Sequence, residues 1–144
     1  MNVKRWCVIE SGDQSYGVEV EHVLEVIRDT PVERVPGAPH GVLGLVNLRG
    51  QLVVALSVKA LINESGAESS PSVTAVVVSR AGESLALCVD AVLDVRDVEE
   101  DALCAPPSGS GGLEKVSSHV AIDGETIIAE LDVERLVQRV GRQK

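Results

Sequence analysis

Aromatic residues are almost absent from this chain of 144 residues, which has one tryptophan, one tyrosine and no phenylalanine. So few rings leave no platform on which nucleic-acid bases could stack. Basic residues are also in deficit, because 13 lysines and arginines face 22 aspartates and glutamates and leave a formal net charge of −9. Such a charge repels a phosphate backbone. We therefore exclude nucleic acid as a partner.

Long apolar runs are missing as well. None of the uncharged stretches approaches the roughly 20 residues that a membrane-spanning helix needs. The first six residues, Met1 to Trp6, lack the apolar core of a signal peptide. We therefore expect a cytoplasmic protein that does not insert into a membrane.

Cysteine and histidine are too few and too scattered to suggest a metal or disulfide site. The cysteines are Cys7, Cys88 and Cys104, and the histidines are His22, His40 and His119. An odd number of widely spaced cysteines argues against a disulfide framework and against a zinc site. The histidines lack ligand spacing and are interpreted as ordinary surface or loop residues. The sequence thus predicts reduced thiols, no metal and no cofactor.

Valine is the residue present in excess. The 26 valines, 14 leucines and 6 isoleucines together make up about a third of the chain. β-Branched side chains fit the pleated surface of a sheet, so this composition favours strands. Apolar runs at 42–48 and 52–56, separated by Arg49-Gly50-Gln51, predict a hairpin. We predict a mainly β protein with short helices at 58–62 and 133–140.

Several segments are less regular. Residues 63–72 and 105–112 are small and polar, and predict a linker and a flexible loop. At 20–27, helical spacing and β-branched content support helix and strand about equally. Asp123-Gly124 is predicted as the two-residue turn between strands at 116–122 and 126–131.

The two halves of the chain resemble each other. Residues 20–29 are echoed by 89–97, residues 46–50 by 120–124, and residues 53–58 by 127–133. The linker lies between the copies. The pattern of each copy predicts a small barrel. A barrel of this size would be marginally stable alone because it buries too little surface, so we expect two barrels packed on one core.

The repeat also separates structural residues from candidate functional ones. Ser57 and Asp132 stand at equivalent positions before short helices, and both residue types are favoured N-caps. Arg49-Gly50 matches Asp123-Gly124, yet Arg is a poor turn former. This departure makes Arg49 the first place to look for function.

The stretch from Gly44 to Val53 contains Asn47-Leu48-Arg49-Gly50 and resembles the Asn-Leu-Arg-Gly signature of the CheW family of chemotaxis coupling proteins. The resemblance extends over about 4–138. It implies a mainly β fold of two SH3-like five-stranded β-barrel subdomains packed on a shared hydrophobic core, with short helices. It also implies one CheW-like domain over 1–144, with subdomains at about 15–65 and 73–131 that the N-terminal strand and the C-terminal helix complete.

The resemblance further implies a function. Coupling proteins are non-enzymatic adaptors between the cytoplasmic tip of methyl-accepting chemoreceptors and the regulatory domain of a CheA-type histidine kinase. Matching the family motif residue by residue gives a candidate partner surface of Val23, Glu25, Val26, Gly44, Asn47, Arg49, Gly50 and Val95. Two structural alternatives stay open: Arg49 is a solvated turn residue, and the three valines belong to the core.

Three other functional alternatives remain. Ala86 stands where many family members have glycine, and the loop 105–112 is rich in Gly and Ser, which would fit a divergent or auxiliary scaffold for a non-flagellar pathway such as twitching motility. An enzyme or small-ligand barrel is disfavoured, because no phosphate loop, nucleophile pairing or metal spacing is present. The regulatory module of a larger kinase is disfavoured because the chain starts at Met1 with little leader.

Overall fold

The computed structural model describes residues 2–63, 71–107, 109 and 113–141. Within these residues the strands are β1 Val3–Ser11, β2 Gln14–Glu19, β3 Val23–Pro31, β4 Val42–Leu48, β5 Gln51–Ser57, β6 Ser72–Arg80, β7 Glu83–Val89, β8 Ala91–Glu99, β9 Val120–Asp123 and β10 Thr126–Glu130. The helices are α1 Val58–Asn63, α2 Leu113–Val116 and α3 Val133–Gln138. Short 3₁₀ turns cover Val20–His22 and Glu100–Ala102.

The strands form two five-stranded sheets, each curled into a half-barrel, which confirms the predicted fold class. Sheet 1 has the order β8-β1-β2-β10-β9, and sheet 2 has the order β3-β6-β7-β5-β4. Neighbouring strands are antiparallel except β2 with β10 and β5 with β7, which are parallel. The two sheets therefore have the same topology.

The sequence repeat reappears in this topology, but each sheet combines both copies. Sheet 1 joins β1 and β2 of the first half to β8, β9 and β10 of the second, whereas sheet 2 joins β3, β4 and β5 to β6 and β7. The predicted subdomain limits 15–65 and 73–131 each contain strands of both sheets. A repeat identifies equivalent segments, but it carries no information on which copy they pair with.

The described residues form three apolar clusters. The central one lies between the sheets and includes Ile9, Val18, Leu56, Val76, Leu87 and Leu136. Sheet 2 encloses its own cluster around Val46, Val53 and Val77, and sheet 1 encloses a smaller one around Trp6, Val8 and Ile128. Because successive strand residues point to opposite faces, Val76 faces the central cluster and Val77 the inside of sheet 2. Both faces of such strands are buried, which explains the abundance of valine.

Some predictions for single segments are confirmed by the structure and others are wrong. Residues 20–27 enter strand β3 after a 3₁₀ turn, which decides the open alternative. The strand predicted at 116–122 is instead helix α2 followed by β9, and the turn lies at Gly124 and Glu125 rather than at Asp123. Both predicted caps are confirmed, since Ser57 Oγ accepts from the Ala60 amide at 3.1 Å and Asp132 Oδ1 from the Arg135 amide at 3.2 Å. Residues 64–70 of the linker lie outside the described residues, as do 108 and 110–112 of the loop.

Candidate functional site

The turn between β4 and β5 puts Arg49 in an unusual backbone conformation. Arg49 and Gly50 have φ angles of 52° and 87°, as the tight hairpin turns with two left-handed residues require. The Asn47 side chain supports the turn, because its Oδ1 accepts a hydrogen bond from the Gly50 amide at 2.8 Å. The equivalent turn in sheet 1 is Gly124-Glu125, so the match of Arg49-Gly50 with Asp123-Gly124 was wrong by one residue and Gly124, with a left-handed φ, stands at the position of Arg49. An arginine therefore stands where glycine is the unstrained choice.

The Arg49 side chain reaches from the turn to β3. Its guanidinium donates from Nη1 to Glu25 Oε1 at 3.2 Å and from Nη2 to Oε2, so the carboxylate is bound through both oxygens. This hydrogen-bonded pair lowers the pKa of Glu25 and raises the pKa of Arg49. The Arg49 side chain is nevertheless 77% exposed. It can therefore exchange Glu25 for another carboxylate without disturbing the core.

Gly44 has a structural role. Near it, the backbone amide and carbonyl of Glu33 pair with those of Leu45, both at 2.8 Å, and connect the two edge strands of sheet 2. Gly44 is buried with φ 153°, and a Cβ at this position would lie 2.1 Å from the Glu33 carbonyl oxygen. The close approach excludes any side chain. Cys104 and Val120 make the equivalent bridge in sheet 1.

The three candidate valines lie on two strands. Val23 and Val26 of β3 are partly buried and pack against the central cluster, which favours the core alternative for these two. Val95 of β8 is 55% exposed and pairs in register with Cys7. Burial raises the pKa of the Cys7 thiol, whereas Arg28 lowers it and Asp94 raises it. Val95 thus lies on sheet 1, and Val23 and Val26 lie on the strand of sheet 2 that carries Glu25.

Sequence reasoning missed two exposed apolar residues. Leu24 on β3 is 56% exposed and Leu93 on β8 is 48% exposed. They are equivalent in the repeat, and that alignment could have identified them.

We call Glu25, Asn47, Arg49 and Gly50 the Arg49 surface, and the structure brings these four together at one end of sheet 2.

Reactive groups of other kinds are not assembled in the described part of the chain. No group of three or more His, Cys, Asp or Glu side chains there is placed to hold a metal ion. Cys88 is buried, which raises its pKa to about 12 and keeps it a thiol. None of the described helices has the length and apolar character needed to cross a bilayer.

Comparison with known proteins agrees with the resemblance in the sequence. The family model described as the CheW-like domain matches residues 5–141. The chemotaxis protein CheW of Rhizobium meliloti is 31% identical over 124 residues, which cover 84% of this chain and 80% of that protein. The chemotaxis protein CheW of Thermotoga maritima is 25% identical over 132 residues, covering 91% and 85%.

A solved structure shares the fold. The crystal structure of the scaffolding protein TtCheW from Thermoanaerobacter tengcongensis superposes with a TM-score of 0.83 and covers 99% of this chain and 98% of that one, at 22% identity. Fold, family model and curated relatives therefore agree. This chain belongs to the CheW-like family, whose members are scaffold adaptors of chemotaxis and not enzymes.

Proposed function

We propose that this protein couples methyl-accepting chemoreceptors to a CheA-type histidine kinase in the cytoplasm, and that it binds the receptor's cytoplasmic tip through the Arg49 surface. The observation that carries the proposal is the exposed Arg49 guanidinium in a left-handed turn position. Ala81 and Gly82 form a turn with nearly the same φ angles, so the strain alone does not mark a function, and it is the exposed charge at the tip of the turn that supports one.

The chemistry of Arg49 suits a helical partner. A planar guanidinium binds a carboxylate or backbone carbonyls in a fixed orientation, which lysine cannot do. Glu25 occupies the guanidinium in the free protein, so a partner carboxylate must displace Glu25 or bind beside the pair. Leu24, next to Glu25 on β3, adds exposed apolar area of the kind that an amphipathic helix covers.

Calorimetry with a cytoplasmic receptor fragment tests the assignment. Arg49→Glu reverses the charge, and we expect it to abolish binding while the fold is kept. Arg49→Asn is the sharper variant, because asparagine tolerates a left-handed backbone conformation and gives the favoured Asn-Gly turn. We expect it to raise the denaturation midpoint and to weaken receptor binding by about tenfold or more.

The control is Arg5→Glu, which makes the same change in charge. Arg5 is also exposed and ion-paired, with its Nε 2.9 Å from Asp97 Oδ1, but it lies on β1 of sheet 1. We expect this variant to bind the receptor normally. Unchanged receptor affinity in folded Arg49→Asn would disprove the role of Arg49. Equal losses of affinity in Arg49→Glu and Arg5→Glu would mean that net charge, and not the position of Arg49, determines binding.

The kinase partner needs its own experiment. We propose the regulatory domain of a CheA-type kinase as the second partner, on the strength of the family relationship. Affinity capture from the native lysate with mass spectrometry should retain a chemoreceptor and such a kinase. Capture of a receptor without any kinase, at several salt concentrations, would contradict the coupling function.

A further inference from the structure

A cluster of ionisable groups outside the Arg49 surface surrounds one partly buried pair of carboxyls. Glu19 at the end of β2 and Glu130 at the end of β10 each accept a hydrogen bond from the same lysine. Lys4 Nζ of β1 lies between them, 3.2 Å from Glu19 Oε1 and 3.3 Å from Glu130 Oε2. The Glu130 side chain is only 13% exposed. One lysine thus faces two carboxyls that cannot both ionise without repulsion.

Other ionisable groups face the cluster from the surrounding elements. His119 Nδ1, just before β9, lies 3.3 Å from Glu130 Oε1, and His22 Nε2 of the 3₁₀ turn lies 3.6 Å from Glu19 Oε2. The group lines a cleft of about 590 Å³ between the sheets. Arg80 of β6 and Asp132 and Glu134 of the α3 region complete its charged wall. Both histidines are exposed residues outside the strands, as interpreted from the sequence, and each faces one of the two carboxyls.

The carboxyl pair lies at the end of the parallel pairing of β2 with β10, which we call the β2–β10 joint. The parallel pairing of β2 and β10 has only three register positions, which end at Gly17 and Glu130. The Leu131 amide then donates to the Gly17 carbonyl at 2.8 Å. Repulsion between Glu19 and Glu130 would act directly on this last hydrogen bond of the joint.

The charges are not needed to build such a joint. The β1–β2 and β6–β7 hairpins match in register, which places Val73 at the position of Lys4 and Cys88 at that of Glu19. In the same way, Ala86 pairs with Ala55 in sheet 2 where Gly17 pairs with Glu130 in sheet 1. The same fold therefore makes this joint twice, once with apolar side chains and once with Lys4, Glu19 and Glu130.

We propose that the Glu19–Glu130 pair, two carboxyls that face one lysine, is a proton-binding site, and that loss of its proton loosens the end of the β2–β10 joint. The inference is independent of the proposed function. Burial raises the pKa of Glu130, and the neighbouring Glu19 raises it further against the lowering effect of Lys4, whereas the pKa of Glu19 is lowered. Because Glu130 is also the less exposed of the two carboxyls, we assign the proton to Glu130.

The sign of the effect follows from linkage. A carboxyl whose pKa is raised by the joint favours the closed joint below its ordinary value of 4.5, and that preference is lost as the pH rises through the raised value. The opening equilibrium of the joint increases about tenfold for each pKa unit by which closure raises the pKa of Glu130. Above that range it becomes constant.

Amide hydrogen exchange of the full chain measures the opening. The Leu131 protection factor, which corrects for intrinsic exchange, should fall as the pH rises through the raised pKa of Glu130 and then level off. Glu130→Gln keeps a hydrogen-bond donor and cannot ionise, so its Leu131 protection should be independent of pH. Lys4→Gln removes the compensating cation and should move the fall to higher pH.

Glu125→Gln is the matched control, because it removes one charge from an exposed turn residue outside the cluster. Its Leu131 protection should fall with pH as in the unmodified protein. The ¹³C shift of the Glu130 carboxyl should titrate over the same range. Protection that is independent of pH in the unmodified chain, or a normal fall in Glu130→Gln, would overturn the proposal.

Discussion

Gly44 shows how one residue decides whether sheet 2 can close. A Cβ there would lie 2.1 Å from the Glu33 carbonyl oxygen, which is backbone and cannot rotate away. We expect Gly44→Ala to lower the free energy of unfolding by about 2 kcal/mol or more. Denaturant titration followed by fluorescence of Trp6, the only tryptophan, measures this loss.

Gly50→Ala is the control for Gly44→Ala. Gly50 also has a positive φ, of 87°, but no atom lies within 4 Å of the position of its Cβ. The Gly50→Ala variant should lose only about 1 kcal/mol of the free energy of unfolding, which is the cost of placing alanine in a left-handed backbone conformation. Equal losses in the two variants would mean that backbone conformation alone, and not the contact with Glu33, explains Gly44.

Arg49 is the opposite case, because a long side chain stands at a backbone position that favours glycine. The equivalent turn of sheet 1 has Gly124, with φ 66°, in that position. The two hairpins hold the same place in their sheets, but their turns differ at the second position too, where Gly50 has a positive φ and Glu125 does not. Sheet 1 thus makes its turn with glycine first, and sheet 2 makes its turn with Arg49 first and glycine second.

At the scale of elements, the repeat predicts matched helix caps. Asp132 Oδ1 accepts from the Arg135 amide at the start of α3, as Ser57 Oγ does from the Ala60 amide at the start of α1. We expect Asp132→Ala to destabilise the protein by about 1 kcal/mol, since an amide loses its acceptor. Asp132→Ser should restore most of the stability, and a serine variant as unstable as the alanine variant would exclude capping as the cause.

The same elements show what the sequence could predict. The hairpin around Arg49, both caps and the general equivalence of the two halves were predictable, because turn chemistry and internal repetition are local signals. The alignment of 46–50 with 120–124 was wrong by one residue, since Arg49 corresponds to Gly124. Helix α2 was missed because its four residues are too few to show a helical period. The approach of Glu19 to Glu130 was not predictable either, since it depends on the pairing of β2 with β10 across most of the chain.

For the whole molecule, the arrangement of strands makes the two sheets dependent on each other. Sheet 1 takes two strands from the first half of the chain and sheet 2 takes three. The central cluster also draws on both sheets, for example through Val18 and Leu87. Neither half can complete a sheet by itself. The molecule should therefore unfold as one cooperative unit, as small single domains commonly do.

This cooperativity can be tested across the sheets. Trp6 is fully buried in the cluster enclosed by sheet 1, whereas Gly44 lies in sheet 2. If the sheets unfold together, Gly44→Ala should shift the Trp6 fluorescence transition and the far-ultraviolet circular dichroism transition to the same lower midpoint, with unchanged slope. Sheets that unfold independently would give a different result, because Trp6 would keep its original midpoint while part of the dichroism signal was lost earlier. Coincident transitions would thus establish that the exchanged strands transmit a local defect in one sheet to the other.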